Sequence, residues 1–184
     1  AVRTVNIARE KLSKKGITLN WKIYGIREPR KVYNTNFEFV GKLFGEDLAR
    51  LYSEADIVVL PSWYESFPLP PIEAMACGSL TITTRYGTED YVFDMKNGLV
   101  TLPREYEEMA RKIVFAVENP LACMRLVEGG LKTVETFSWE KRTDVLEEIL
   151  QECIKNYSFE SFKIVDDLVR GNFKEYIHEK LNLR

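Results

Sequence analysis

Residues 55–78 read ADIVVLPSWYESFPLPPIEAMACG, and how this stretch divides decides the fold. Asp56 to Leu60 (DIVVL) is an apolar run of strand length stopped by Pro61, and a run apolar at successive positions suits a strand covered on both faces. Pro70 and Pro71 fit the first turn of a helix, where a missing N–H costs nothing, and Gly78 closes it, which predicts a short helix from Pro71 to Cys77. The stretch is therefore strand, loop, helix. In an open α/β sheet such a loop lies at the carboxyl end of a strand, where ligands bind.

Working outward, the same alternation continues in both directions. Upstream, Val5, Ala8 and Leu12 recur at helical spacing ahead of Lys14-Lys15-Gly16, predicting a helix over residues 1–15. Thr18 to Tyr24 (TLNWKIY) and Asn36 to Val40 (NFEFV) read as strands, with a charged loop from Ile26 to Asn34 between them, and Glu46 to Ser53 as a short helix. Downstream, Leu80 to Thr84 (LTITT) and Gly98 to Leu102 read as strands. Helices follow over Glu105 to Glu118, Leu121 to Thr136, Trp139 to Asn156 and, broken near Gly171-Asn172, Glu160 to Leu181. The pattern predicts an α/β fold: a Rossmann-like, open, mostly parallel sheet of about five strands with helices on both faces and a helical tail. We expect a domain over residues 1–156 and a tail over 157–184.

Composition narrows the function classes. The chain has 184 residues, 45% of them hydrophobic, enough for one sizeable core. A net charge of -2 disfavours nucleic acid recruited by bulk positive charge, so no nucleic-acid partner is expected. The apolar run Ile57 to Ser62 falls far short of the roughly 20 residues of a membrane helix. Cys77, Cys123 and Cys153 lack C-x-x-C spacing and His178 is the only histidine, so neither a zinc cluster nor a disulfide framework is expected, and a reducing, cytoplasmic compartment is.

The loop itself points to an anion. Prolines 68, 70 and 71 remove three donors, leaving Ser66, Phe67 and Leu69 to present main-chain N–H groups beside a helix N-terminus. Glu65 and Glu73 would suit sugar hydroxyls, since a carboxylate accepts two at once. Glu73 alternatively compensates the helix dipole, although Pro70 leaves a capping box incomplete, and Glu65 alternatively is a solvated loop charge. Trp63 and Tyr64 would stack on a base or pack on the rim.

The spacing of Glu65 and Glu73, E-x7-E, sits in a longer passage that runs from Phe39-Val-Gly41 through LYSEADIVVLPSWYESFPLPPIEAMACG (residues 51–78) to Asn97-Gly98-Leu99-Val100. It resembles the donor-binding C-terminal domain of group 1 glycosyltransferases of the GT-B fold, over about residues 1–150. The resemblance implies retaining transfer of a sugar from a nucleotide diphosphate sugar to an acceptor. It gives Glu65 the catalytic contact to the donor sugar and Glu73 the ribose hydroxyls. Ser66, Phe67 and Leu69 then hold the diphosphate or sugar, Gly87 and Thr88 lie near the phosphates, and Val40 and Gly41 neighbour the base. Asp90 stands where the family more often has glutamate, and Ser66 and Pro68 stand at positions often occupied by glycine.

The family's diphosphate-clamping arginine and lysine belong to a first strand and loop expected ahead of Ala1. Arg85, Arg27 and Lys42 are the candidate cations here. The resemblance further implies an N-terminal acceptor domain as partner, the nucleotide diphosphate sugar as substrate with no cofactor, and a peripheral membrane contact through a lipid acceptor. No metal is expected, because no D-x-D pair is present. The alternative is a non-catalytic nucleotide-sugar-binding or interaction module on the same half-fold.

Overall fold

The computed structural model describes residues 1–28 and 36–155. Helix α1 spans Val2–Ser13, followed by strands β1 (Lys22–Tyr24) and β2 (Glu38–Gly41), α2 (Gly45–Ser53), β3 (Ile57–Leu60), α3 (Leu69–Ala76), β4 (Leu80–Thr84) and β5 (Leu99–Thr101). Then come α4 (Tyr106–Glu118), α5 (Pro120–Val134), a 3-10 turn (Glu135–Phe137) and α6 (Trp139–Lys155). The chain divides into two compact units, Ala1–Thr136 and Phe137–Arg184. The helix expected over residues 160–181 and His178 lie outside the described residues. In the second unit, α6 leaves Val145, Leu146, Ile149 and Leu150 about half exposed.

The five strands among the described residues are parallel, as the alternation predicts, but they form two ladders and not one sheet: β1 pairs with β2, and β3-β4-β5 stand in that order. No ladder joins β1 to β3. Removing the first strand from a doubly wound sheet of order 3-2-1-4-5-6 leaves this same division. β3 is consequently an edge strand, and Ile57, Val58, Val59 and Leu60 are each only half-buried. The expectation that this strand is covered on both faces therefore does not hold; the strand in which every residue is buried is β4.

Side-chain alternation along β4 explains why helices cover both faces. Leu80 and Ile82 point into a cluster with Leu99, with Val5 and Ala8 of α1 and with Met109, Ala110 and Ile113 of α4. Burying each large aliphatic side chain there contributes about 1.5–3 kcal/mol. The intervening threonines face the other way. Thr81 donates to the Pro71 carbonyl of α3 at 3.3 Å and Thr83 to Leu60 at 3.4 Å, so their hydroxyls are satisfied while their methyls pack.

Helix α3 begins at Leu69, two residues before its predicted start. Pro68 is its N-cap, and the two prolines fall in the first turn, where their lost donors would have had no helical partner.

Helix α5 carries Gly129 and Gly130 in its interior, where glycine is unfavourable, because the chain at residues 96–97 approaches closely. A Cβ on Gly129 would stand 2.4 Å from the Lys96 carbonyl oxygen. Asn97 organises that turn: its amide donates to the Tyr91 carbonyl and to the Thr133 hydroxyl of α5, and its carbonyl accepts from the Phe93 N–H, all at 2.7–2.8 Å. Gly129→Ala should therefore destabilise the chain by about 1–3 kcal/mol, although alanine is the better helix former by about 1 kcal/mol. Urea denaturation checks this, and a stabilised variant would refute the close approach.

Candidate functional site

The loop of residues 61–68 is fixed from below by the C-terminal end of β4 and the turn after it. The Thr84 hydroxyl donates to the Ser62 carbonyl at 2.6 Å, and the Ser62 hydroxyl donates to the Glu65 carboxylate at 2.7 Å. Gly87, with φ +92°, packs so tightly that a Cβ there would lie 2.2 Å from the Glu65 carbonyl oxygen. Only glycine fits both the left-handed backbone and the contact. Further along, the Tyr91 hydroxyl donates to the Pro68 carbonyl at 2.5 Å, and its ring lies 5.1 Å from that of Phe67. Burial, and then the nearby Glu65 charge, push the Tyr91 phenol well above its usual range, so it remains a neutral donor.

Glu73 lies in the second turn of α3, and the first turn holds no acidic residue. Dipole compensation is thus not its role, a correction that follows from the earlier helix start. Its carboxylate instead accepts from the Tyr52 hydroxyl of α2 at 3.3 Å, and Tyr52 lies 2.6 Å from the Tyr24 hydroxyl at the end of β1. Tyr52 is buried, and the two rings meet edge to face at 5.8 Å. Desolvation is the first cause raising both phenols, with each other and Glu73 adding to it at Tyr52. A neutral hydroxyl relay thus reaches from the carboxyl end of β1 to the carboxylate.

Tyr24 stands opposite Gly41 in the parallel register of β1 and β2. That places the predicted Val40 and Gly41 on the β2 side of this relay, both half-buried. Ser66, Phe67 and Leu69 are exposed along the loop and the start of α3.

Gly87 and Thr88, expected near the phosphates, use their donors within the turn. Thr88 is buried; its hydroxyl donates to the Thr84 carbonyl at 2.8 Å and its N–H to Arg85, so both are consumed in forming the turn. The Gly87 N–H donates to the Glu89 carboxylate, which backbone donors, its own N–H first, hold below the usual carboxylate range. An anion approaching Gly87 would compete with Glu89. Of the candidate cations, Arg85 is exposed and lines a cavity whose wall includes neither Glu65 nor Glu73. Lys42 lies over the Phe44 ring at 4.4 Å, and Arg27 and Asp90 are exposed.

Sequence reasoning missed Tyr24, Tyr52, Tyr91 and Ser62. The available signal was that a tyrosine on the buried side of a helix brings a hydroxyl that must find a partner.

The chain resembles known proteins across most of its length. Residues 4–119 match the family described as Glycosyl transferases group 1. The D-inositol 3-phosphate glycosyltransferase of Saccharomonospora viridis is 30% identical over 139 residues, covering 71% of this chain and 32% of that protein. The glycogen synthase of Mycobacterium tuberculosis is 30% identical over 139 residues, covering 74% and 32%. The chain thus spans about a third of the length of these curated relatives. Among solved structures, sucrose-phosphate synthase from Thermosynechococcus elongatus superposes with a TM-score of 0.71 at 25% identity, over 85% of this chain and 43% of that one. HepE from Anabaena, in complex with UDP-glucose, superposes with a TM-score of 0.59 at 24% identity, over 63% of this chain and 32% of that one. The fold is that of the GT-B glycosyltransferases, and with more than half of its residues matched the chain belongs to the group 1 glycosyltransferase family.

Proposed function

We propose that this chain is the donor-binding half of a retaining glycosyltransferase and holds a nucleotide diphosphate sugar at the carboxyl ends of β3 and β4. The observation that carries the reading is Glu73: a carboxylate freed from helix capping, oriented by a buried tyrosine and standing eight residues beyond Glu65. Such a group accepts the paired donors of a ribose diol. Glu65 contacts the donor sugar, its carboxylate held by Ser62 and its backbone by the close packing of Gly87. The similarity in fold to HepE, solved with UDP-glucose, supports a nucleotide-sugar ligand.

In this reading the chemistry is leaving-group stabilisation. Departure of the nucleoside diphosphate develops negative charge on the phosphate, which the N–H groups of Ser66, Phe67 and Leu69 and the start of α3 stabilise without reorganising, because the loop is already anchored. Thr88 is not among these donors. The division of the strands into two ladders supports a first strand, with the clamping arginine and lysine, supplied from outside these 184 residues. An acceptor domain would close the cleft and exclude water. Contact with a membrane would come through a lipid acceptor; no helix among the described residues is long and apolar enough to cross one.

A nucleoside diphosphate should raise the melting temperature more than the matching nucleoside does, and Glu73→Gln should weaken its binding by about 1–3 kcal/mol with little change in folding stability. Equal shifts from nucleoside and diphosphate, read by differential scanning fluorimetry, would refute the anion part of the site. A variant that binds normally but melts early would refute the ribose role of Glu73.

Tyr52→Phe keeps the packed ring and removes the donor. It should weaken nucleotide binding by roughly 1 kcal/mol, and combining it with Glu73→Gln should add almost nothing, since both act through one hydrogen bond. Additive losses in calorimetric titrations would show that Tyr52 does not act through Glu73.

A further inference from the structure

We propose that the chain has a second anion site, separate from the 61–73 loop, which takes the phosphate group of a phosphomonoester. The site is a cavity of about 1060 Å³ at the carboxyl ends of β4 and β5, and Arg3, Arg85 and Arg104 line it from α1, the turn after β4 and the turn after β5. None of the three makes an ion pair within 4 Å among the described residues. Two are held from behind by aromatic rings: the Arg3 guanidinium lies 5.2 Å from the Tyr106 ring centre and that of Arg104 lies 4.1 Å from that of Trp63. A stacked guanidinium keeps its N–H edge available for an oxyanion while its orientation is fixed.

The charges on the cavity wall are unequally committed. The Glu89 carboxylate is bonded by the Gly87 N–H, though it also feels Arg85, and Glu105 accepts from the Leu102 N–H at 3.2 Å. Asp94 accepts from the Val100 N–H at 2.7 Å and pairs with Lys112 at 2.6 Å, while Glu108 pairs with Arg111. A neutral N–H removes no charge, so outside the two ion pairs Arg3, Arg85, Arg104 and Lys96 face Glu89, Glu105 and Glu107, an excess of one positive charge. An anion fits that excess, and guanidinium forks outside any ion pair match the oxygens of a phosphomonoester.

A separate observation points the same way. Thr101, on the cavity wall, is 5% exposed, and its hydroxyl has no hydrogen-bond partner. A buried hydroxyl normally has one, and rotation of the Thr101 side chain toward the cavity would let a phosphate oxygen accept from it.

The test is a titration of the full 184-residue chain with inorganic phosphate, followed by backbone amide NMR. Amides at residues 85 and 101–106 should shift saturably. Arg3→Gln combined with Arg104→Gln should weaken that binding at least about tenfold at an unchanged melting temperature. Glu73→Gln should leave it unaltered. Because the two sites report through different amides, a failure of nucleotide binding at Glu73 and a failure of this site are read separately. Unchanged affinity in the double variant, or shifts confined to residues 61–73, would overturn the proposal. Vesicles of phosphatidic acid in phosphatidylcholine distinguish the source of the phosphate. Arginine-dependent co-sedimentation assigns it to a lipid headgroup, and phosphate binding without co-sedimentation assigns it to a soluble ester; both outcomes uphold the site.

Discussion

The geometry at the carboxyl edge depends on β4, the strand in which every residue is buried. Its aliphatic positions anchor it between α1 and α4, and its threonines turn the opposite face into a set of hydrogen-bond donors directed at α3 and the end of β3. A valine at 84 would preserve the shape and lose the bond to the Ser62 carbonyl, which ties the loop of residues 61–68 to the core. The branched shape suits a central strand, and the hydroxyl satisfies a loop carbonyl at its end.

From that anchor, order propagates through short steps. Thr84 holds Ser62, Ser62 holds the Glu65 carboxylate, and Gly87, two residues beyond β4's next neighbour Arg85, packs on the Glu65 backbone. Tyr91 then holds Pro68, immediately before α3, and α3 carries Glu73. A loop with this many fixed points has little conformational entropy left to lose on binding, which is the physical content of preorganisation.

Much of this was legible in the sequence, for identifiable reasons. Val5, Ala8 and Leu12 marked the buried face of α1, and all three are buried. The strand over Leu80 to Thr84 was found with its bounds intact, because a run of branched residues between Gly78 and a turn leaves few alternatives. The order strand, loop, helix over residues 57–76 was read from the apolar run and the prolines. What escaped depended on contacts distant in sequence. Glu73 meets Tyr52 twenty-one residues away, and the helix start at Leu69 moved it out of the first turn. The half-exposure of β3 was hidden because an apolar run reads the same at an edge as at a centre; strand order, not composition, decides it.

The separation of charge along the edge follows from the same topology. Glu65 and Glu73 belong to the segment between β3 and β4, whereas Arg85 and Arg104 follow β4 and β5 and face away into their own cavity with Arg3. Carboxylates near the first site would suit hydroxyls; guanidinium groups at the second would suit oxyanions. Trp63 joins the two, since its backbone belongs to the loop that carries Glu65 while its ring supports Arg104.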